Sequence, residues 1–506
     1  MGSNLEVRSL LLNLLACDFS RSADDRSLRI FIHILDDDSL LSIFFHCRPV
    51  LIDKDETDEL HILRGGHWDR ERWWYKLTQV CRRWRYLVLA SASHLDLCIL
   101  CTYGTPIADV LAHFPPFPLI IDFLDQHHDI TTADEEGILL VLRQQRDRVR
   151  HIRLQMFAPT LLKFVVAFDG EFPMLEYLFL RPPNKVNTIL VLPETFQAPH
   201  MRHLLLNNFI LPASLLLTPG MGLVTFSLMW ILPSVYFHPS EFLQQLSRFP
   251  QLKILRIGFQ SPVPNRDVES HLLDTPIMTH VTLPNLRWFS CIVPSAYLEA
   301  LVHRVAAPSL EKLQTWFFNQ LTYSIPNLVQ FTITKENLRS RMAKIVFSGE
   351  TAFVKMYPHE KDISRALYTE AFCRNLDWQV SSMVQILNAL TPVFSSVEHL
   401  TLIFEKHTLS NGHREVDDTQ WRALLRPFSH VTILQVDLND RLAMGLLRAL
   451  QLVDAESPTG LLPELKELQY VTKRVSGDNF EAFINARKEA GYPLALVGLK
   501  SRLIRG

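Results

Sequence analysis

Hydrophobic and polar residues alternate along this chain in two rhythms, and the change falls near residue 90. Before it the spacing is helical. In Leu77-Thr-Gln-Val-Cys-Arg-Arg-Trp-Arg-Tyr-Leu-Val-Leu89 the apolar side chains fall at Leu77, Val80, Cys81, Trp84, Leu87 and Val88. That i, i+3, i+4, i+7 spacing predicts one helical face, with Arg82, Arg83 and Arg85 on the other side. Taken alone, the segment reads as a core helix with a solvated basic face. Upstream, Leu35-Asp-Asp-Asp-Ser-Leu-Leu-Ser-Ile-Phe-Phe45 predicts a second helix. Its aspartates offer an N-cap and place negative charge at the positive end of the helix dipole. Leu40, Leu41, Ile43 and Phe44 form its apolar stripe. Between the two lies Asp53-Lys-Asp-Glu-Thr-Asp-Glu59, too polar to bury itself and read as a loop. Gly65-Gly66 marks a break, after which Asp69 is placed to cap a helix through Trp73, Trp74 and Leu77.

Beyond residue 90 the alternation has the period of a strand. Leu95-Asp-Leu-Cys-Ile-Leu100 and Val149-Arg-His-Ile-Arg-Leu154 follow it, with a helical stretch over 134–148 between them. A phrase of Pro, a spacer and alternating apolar residues then recurs from Pro173, Pro199, Pro250, Pro284, Pro308 and Pro326, with later relatives from Val397, Val431 and Pro463. Taking Leu175, Met201, Leu252, Leu286, Leu310 and Leu328 as equivalent, the steps run from about 18 to about 50 residues, and Leu223-Val-Thr-Phe-Ser-Leu228 supplies a degenerate unit inside the longest. Helices are predicted between many of these strands, at 240–249, 297–305, 380–390, 419–428, 441–452 and 479–490. Leu-x-x-Leu-x-Leu is the core phrase of leucine-rich repeats. Strand–helix alternation on that phrase fits a curved solenoid, with parallel strands on one face and helices on the other. An ordinary α/β domain with leucine-rich strands is the alternative. The stretch 331–378 is less regular and reads as an insertion or long loop around the strand Met342-Ala-Lys-Ile-Val-Phe347, and 405–418 reads as a polar loop.

The two N-terminal helices together resemble an F-box. The family pattern is Leu-Pro, an acidic turn, a Leu-Leu pair, Ile-Phe, and later a Val-Cys-basic-basic-Trp helix. The matching residues are Leu35, Asp37, Asp38, Leu40, Leu41, Ile43 and Phe44, then Val80, Cys81, Arg82, Arg83 and Trp84. The layout is similar to F-box proteins of mushroom-forming fungi, in which the helix is followed, as here, by Ala90-Ser-Ala-Ser-His-Leu-Asp-Leu and Leu100-Cys-Thr102. Asp36 stands where the family has proline, and the spacer between the two halves is longer than in compact F-boxes. The resemblance implies docking of the Skp-type adaptor of a cullin–RING ubiquitin ligase, through Leu35, Leu40, Leu41, Ile43, Phe44, Leu77, Val80, Cys81, Trp84, Leu87 and Val88. So small a module cannot bury all its apolar side chains alone, which leaves surface for a partner.

Composition narrows the remaining classes. The chain has 506 residues, 48% of them hydrophobic and 21% charged, an ordinary globular balance. The 51 basic and 53 acidic residues leave a formal net charge of -2, so no global pull toward nucleic acid follows. Seven cysteines at low density argue against a disulfide framework and for a reducing compartment. No apolar run approaches about 18 residues, so no transmembrane span is predicted. Ser9-Leu-Leu-Leu-Asn-Leu-Leu-Ala-Cys17 reads as an amphipathic helix or docked arm rather than a signal segment, because Glu6 spoils the basic flank. Cys98-Ile-Leu-Cys101 has metal or redox spacing, but without a second Cys/His pair it reads as two packed thiols. Gln126-His-His-Asp129 reads as a solvated loop. With 17 glycines, phosphate-cradling loops are improbable, and no zinc-protease, Walker or nucleophile-elbow motif is present.

The expected organisation is an α/β chain with an N-terminal arm (1–27), a small helical F-box (28–92, with an insertion at about 46–68) and an irregular leucine-rich-repeat-like solenoid (93–506). The expected function is the target-recognition subunit of an SCF-type ubiquitin ligase, cytoplasmic and/or nuclear. It would be non-catalytic and bind no cofactor, metal, nucleic acid or membrane. Its partners would be the Skp-type adaptor, through it a cullin, and an unknown protein target. A leucine-rich binding scaffold with a degenerate F-box, and an enzyme whose site is assembled from solenoid loops, are the alternatives.

Overall fold

The computed structural model describes residues 35–48, 72–124, 130–183, 190–210, 221–232, 235–261, 279–318, 320, 322–359, 365–373, 375–405, 416–437, 440–451, 461–471 and 480–499. The expected arm, most of the expected insertion, Gly65-Gly66, Asp69, Gln126-His-His-Asp129 and residues 406–415 lie outside them. The fold is mixed α/β, built on mostly parallel sheet with helices. The chain divides into two compact units, residues 1–203 with 211–221, and residues 204–210 with 222–506.

Among the described residues of the first unit four helices precede the sheet: α1 (Asp37–Cys47), α2 (Trp73–Thr78), α3 (Arg82–Ala90) and α4 (Ala92–Leu95). Strands β1 (Ile99–Cys101), β2 (Leu119–Phe123), β3 (Val149–Gln155) and β4 (Tyr177–Arg181) follow, paired in chain order and parallel. Parallel neighbours need crossovers. These carry α5 (Ile107–His113), α6 (Thr132–Gln144) and α7 (Ala158–Val166). Thr131 and Asp134 close a reciprocal capping box at the start of α6. The strand expected over 95–100 is shorter than its pattern: Leu95 ends α4, and the ladder begins at Ile99.

The second unit contains β5 (His203–Asn207), β6 (Thr225–Ile231), α8 (Pro239–Leu246), β7 (Ile254–Phe259), β8 (Trp288–Ile292), α9 (Ser295–Val302), β9 (Lys312–Phe317), α10 (Pro326–Ile333), β10 (Met342–Phe347), β11 (Thr351–Tyr357), β12 (Ala366–Phe372), α11 (Leu376–Ala389), β13 (His399–Phe404), α12 (Asp418–Leu425), β14 (Ile433–Asp437), α13 (Asp440–Gln451), β15 (Glu467–Val471), α14 (Glu481–Glu489) and β16 (Ala495–Leu499). Its strand order is β5-β6-β7-β8-β9-β12-β11-β10-β13-β14-β15-β16. The pairings of β11 with β10 and β12 are antiparallel. This hairpin-like arrangement is what the irregular stretch 331–378 encodes, where an insertion or long loop around the one strand 342–347 was expected.

The recurring Pro phrase has a local explanation. In the copies from Pro173, Pro199, Pro250, Pro284 and Pro308, the proline and its follower form a turn and the next apolar residue is buried. The residue after that opens the parallel ladder: Glu176 N–H donates to Arg150 O, Lys253 to Val224, Arg287 to Lys253 and Glu311 to Arg287, at 2.8–2.9 Å. The copy from Pro326 departs from this and forms α10 instead. Its proline takes the first helical turn, where a missing N–H costs nothing. The Asn327 and Leu328 N–H groups donate to the Glu299 carboxylate at 2.7 and 2.8 Å. Leu328, Phe331 and Thr332 then share one buried helical face.

The core of the second unit lies between strands and helices, at contacts such as Phe226–Phe242, Phe259–Tyr297 and Phe347–Trp421. Because side chains alternate across a strand, the residues between these points turn away from those helices.

Candidate functional site

Asp36 starts the N-terminal module by accepting the Ser39 N–H at 2.7 Å, and the hydrogen bonds from Ser39 hold its carboxyl below the usual range. The cap stands where the F-box pattern has proline and organises the same first turn. From it α1 projects Leu40 and Phe44, four residues apart, into the module's interior. The Phe44 ring meets the Trp84 ring edge-on at 4.7 Å. Arg83 clamps the same two helices from outside, donating to Asp37 Oδ1 at 2.6 and 3.0 Å and to the Leu35 carbonyl at 2.6 Å.

The single helix expected over Leu77–Leu89 is broken. Thr78 turns its hydroxyl back to Tyr75 O, and the N–H groups of Gln79 and Val80 take the carbonyls of Lys76 and Leu77 only three residues back. Cys81 is extended, with φ -159° and ψ 171°, and caps α3 from outside the helix. Arg85 Nε satisfies the free Thr78 carbonyl at 2.9 Å. Two β-branched residues at the junction, Thr78 and Val80, weaken helix continuation there.

The break decides which of the expected docking residues face outward. Trp84 is 8% exposed and belongs to the core, whereas Val80 is 50% exposed. Leu40, Phe44, Leu77, Leu87 and Val88 are also buried. Leu35, Leu41, Ile43 and Cys81 are half-buried. The outer surface adds two residues that the sequence reading missed, Phe45 at 44% and Tyr86 at 73% exposure. The Phe44-Phe45 doublet was the available signal, since adjacent residues on a helix cannot both face one core.

An open groove of about 720 Å³ runs along this surface, lined by Asp38, Leu41, Ser42, Phe45, Ala90, Ser91, Ser93 and His94. The Phe45 ring sits 5.6 Å from the His94 ring. Serine, histidine and aspartate are the residue types of a hydrolytic triad. Among the described residues, however, no hydrogen bond joins His94 to Asp38 or to a serine. A nucleophile–base pair requires such a contact. The groove is lined by the apolar side chains of Leu41, Phe45 and Ala90 together with polar Asp38, Ser42, Ser91, Ser93 and His94.

The module is tied to the sheet of its own unit. The Trp74 indole donates to Cys98 O at 3.1 Å, and its ring stacks on Tyr75 at 4.1 Å. Asp96, in the left-handed region at φ 54°, accepts from Arg48 after α1 and from Arg150 on β3, and Arg150 also reaches Glu176 at 3.2 Å. Burial alone would lower the Arg150 pKa, but Asp96, Cys98 and Glu176 more than reverse it and hold the guanidinium charged. Cys98 and Cys101 are packed thiols, and burial pushes the Cys101 thiol up to about 12. Among the described residues, no three His, Cys, Asp or Glu side chains form a metal-holding group, and no helix is long and apolar enough to cross a membrane.

Fold and site together define a mixed α/β protein with an N-terminal helical module that presents a groove of mixed apolar and polar lining. No known protein-family model matches the chain, and no curated protein sequence matches it.

Proposed function

We propose that this chain is the target-recruiting subunit of an SCF-type cullin–RING ubiquitin ligase. Helices α1–α4 act as an F-box that docks the Skp-type adaptor, and the strand–helix body acts as an irregular leucine-rich-repeat solenoid that holds the target. The chain itself performs no bond chemistry. The observation that carries the reading is the outward apolar set Leu41, Ile43, Phe45 and Val80, on the module whose sequence resembles an F-box. Each such side chain contributes about 1.5–3 kcal/mol when fully buried. Association costs roughly 4–15 kcal/mol, so these anchors must act together. The ladder opening repeated after the phrases from Pro173, Pro250, Pro284 and Pro308 supports the repeat reading of the body.

The test is affinity capture of the tagged full chain from cells, probed for the adaptor and the cullin. Wild type is expected to recover both. Val80→Asp combined with Phe45→Ser is expected to lose both, because it replaces two exposed apolar side chains by charge and polarity without touching the core. A wild-type chain that captures no adaptor overturns the reading and leaves that of a scaffold with a degenerate F-box.

A further inference from the structure

Lys344 and Lys355 are directly opposed register partners on the antiparallel ladder of β10 and β11. Like charges in that position destabilise a sheet. Both are half-buried, while Ala343, Ile345, Ala352, Val354 and Met356 between and beside them are buried on the opposite face. The two lysines therefore share the face turned away from the helices. Burial, and then the Lys344 charge, lower the pKa of the Lys355 ammonium. Among the described residues neither ammonium meets a carboxylate: no ion pair or side-chain hydrogen bond involves Lys344 or Lys355. Glu370, on this face, is already engaged by the Tyr368 hydroxyl, Thr351 and Trp316, and Asp437 lies on the same face opposite Ile403.

The surroundings are built for a polypeptide. Register places Tyr368, Lys355, Lys344, Thr401 and Gln435 in one row across five neighbouring strands. At about 4.8 Å per strand the row is roughly 19 Å long, which five or six extended residues cover. The Tyr368 and Phe353 rings stack at 5.1 Å and wall one side, and the half-buried Gln435 offers hydrogen bonds on the other. Cross-strand partners stand about 4.5–5.5 Å apart at Cβ, so the two ammonium groups reach neighbouring carboxylates on one segment. Lysine is a point charge with rotatable donors. It asks for negative charge rather than for one fixed geometry.

We propose that the Lys344–Lys355 row binds an extended segment of the target protein that carries two closely spaced carboxylates. The proposal deepens, and rests on, the reading of the body as the target-holding part. It assigns the unbalanced charge of the antiparallel ladder to recognition.

Fluorescence anisotropy of the full chain tests it in low-salt buffer, where a Debye length above about 10 Å preserves the attraction. The probes are a labelled Gly/Ser-rich peptide with two adjacent glutamates, its glutamine counterpart, and one with a single phosphoserine. The diglutamate peptide is expected to bind and the glutamine peptide to bind at least ~10-fold more weakly, a difference of about 1.4 kcal/mol. Lys344→Gln with Lys355→Gln is expected to erase that difference, while Lys344→Glu with Lys355→Glu transfers binding to a dilysine peptide. Unchanged far-UV circular dichroism in these variants excludes loss of the sheet as the cause. Adaptor capture by the same variants is expected to equal wild type, which separates failure of this site from failure of the ligase reading. Equal affinity for the glutamate and glutamine peptides overturns the proposal. So does binding confined to the phosphoserine peptide.

Discussion

Replacing Trp84 by alanine separates a packing role from a docking role at this position. Its side chain is 8% exposed and stands edge-on to Phe44 at 4.7 Å. Truncating a buried tryptophan costs about 3–5 kcal/mol, through lost transfer energy and the cavity left behind. The aromatic pair contributes roughly 0.5–1.5 kcal/mol of that beyond area. Local opening of the module should therefore rise by roughly two to three and a half powers of ten. A single melting temperature is a poor readout for a chain of two compact units. Native-state hydrogen exchange reports each segment separately. Amides of α1 and α3 are expected to exchange faster in Trp84→Ala, while β2 and β3 keep their protection. Val80→Ala, on an exposed side chain, should change α3 protection by no more than about 0.5 kcal/mol. If Trp84→Ala leaves α3 as protected as wild type, Trp84 is not a core residue and the division between core and groove is wrong.

Gly137→Ala on α6 sets two effects against each other. Alanine improves helix propensity by about 1 kcal/mol, but its Cβ would fall 2.9 Å from Ile107 Cβ on α5. Overpacking of that kind costs about 1–3 kcal/mol, so net destabilisation by urea denaturation is expected, and a stabilised variant would refute the packing argument. Asp96→Gly should weaken the tie between Arg48 and Arg150 by removing its carboxylate, and Asp96→Ala should cost about 1 kcal/mol more because alanine is strained at φ 54°. Equal stability of the two variants would contradict the left-handed assignment. The Cys101 thiol, raised by burial from 9.0 to about 12, should resist alkylation at pH 8 until the unit unfolds. Its linkage has one sign: the unfolded thiol ionises first, so its stabilising contribution is intact below pH 9 and disappears as pH rises toward 12. A flat alkaline limb in the Cys101→Ser difference would oppose this.

Much of the fold was legible because periodicity records burial. The helices at 240–249, 380–390 and 419–428 and the strands at 149–154 and 342–347 emerge within a few residues of their predicted places. The N-cap aspartates were equally plain, and Asp36 is the one that caps. Pro326 was misassigned because the same Pro-x-Leu opening suits a ladder start or a helix start. The choice was made by Glu299, 28 residues before Asn327, which caps the helix. The hairpin around β11 was illegible for a related reason. Strand order depends on which edge a returning segment reaches, and the alternation of β11 is the same in either direction.

The Leu77–Leu89 stretch marks the division most clearly. Its sequence alone determined an amphipathic, basic helical region with Trp84 on the apolar side, because residue type and spacing dictate which side chains avoid water. It also led to the expectation that a module this short leaves some apolar side chains unburied. Tertiary structure alone decided which ones. A break at Gln79–Cys81, stabilised by Arg85 on the Thr78 carbonyl, rotates Val80 outward, while Phe44 from another helix claims Trp84. Likewise, two lysines eleven positions apart are ordinary in sequence and become a charged pair only when an antiparallel turn sets them face to face. Local spacing fixes which residues seek burial, and long-range packing fixes which of them find it.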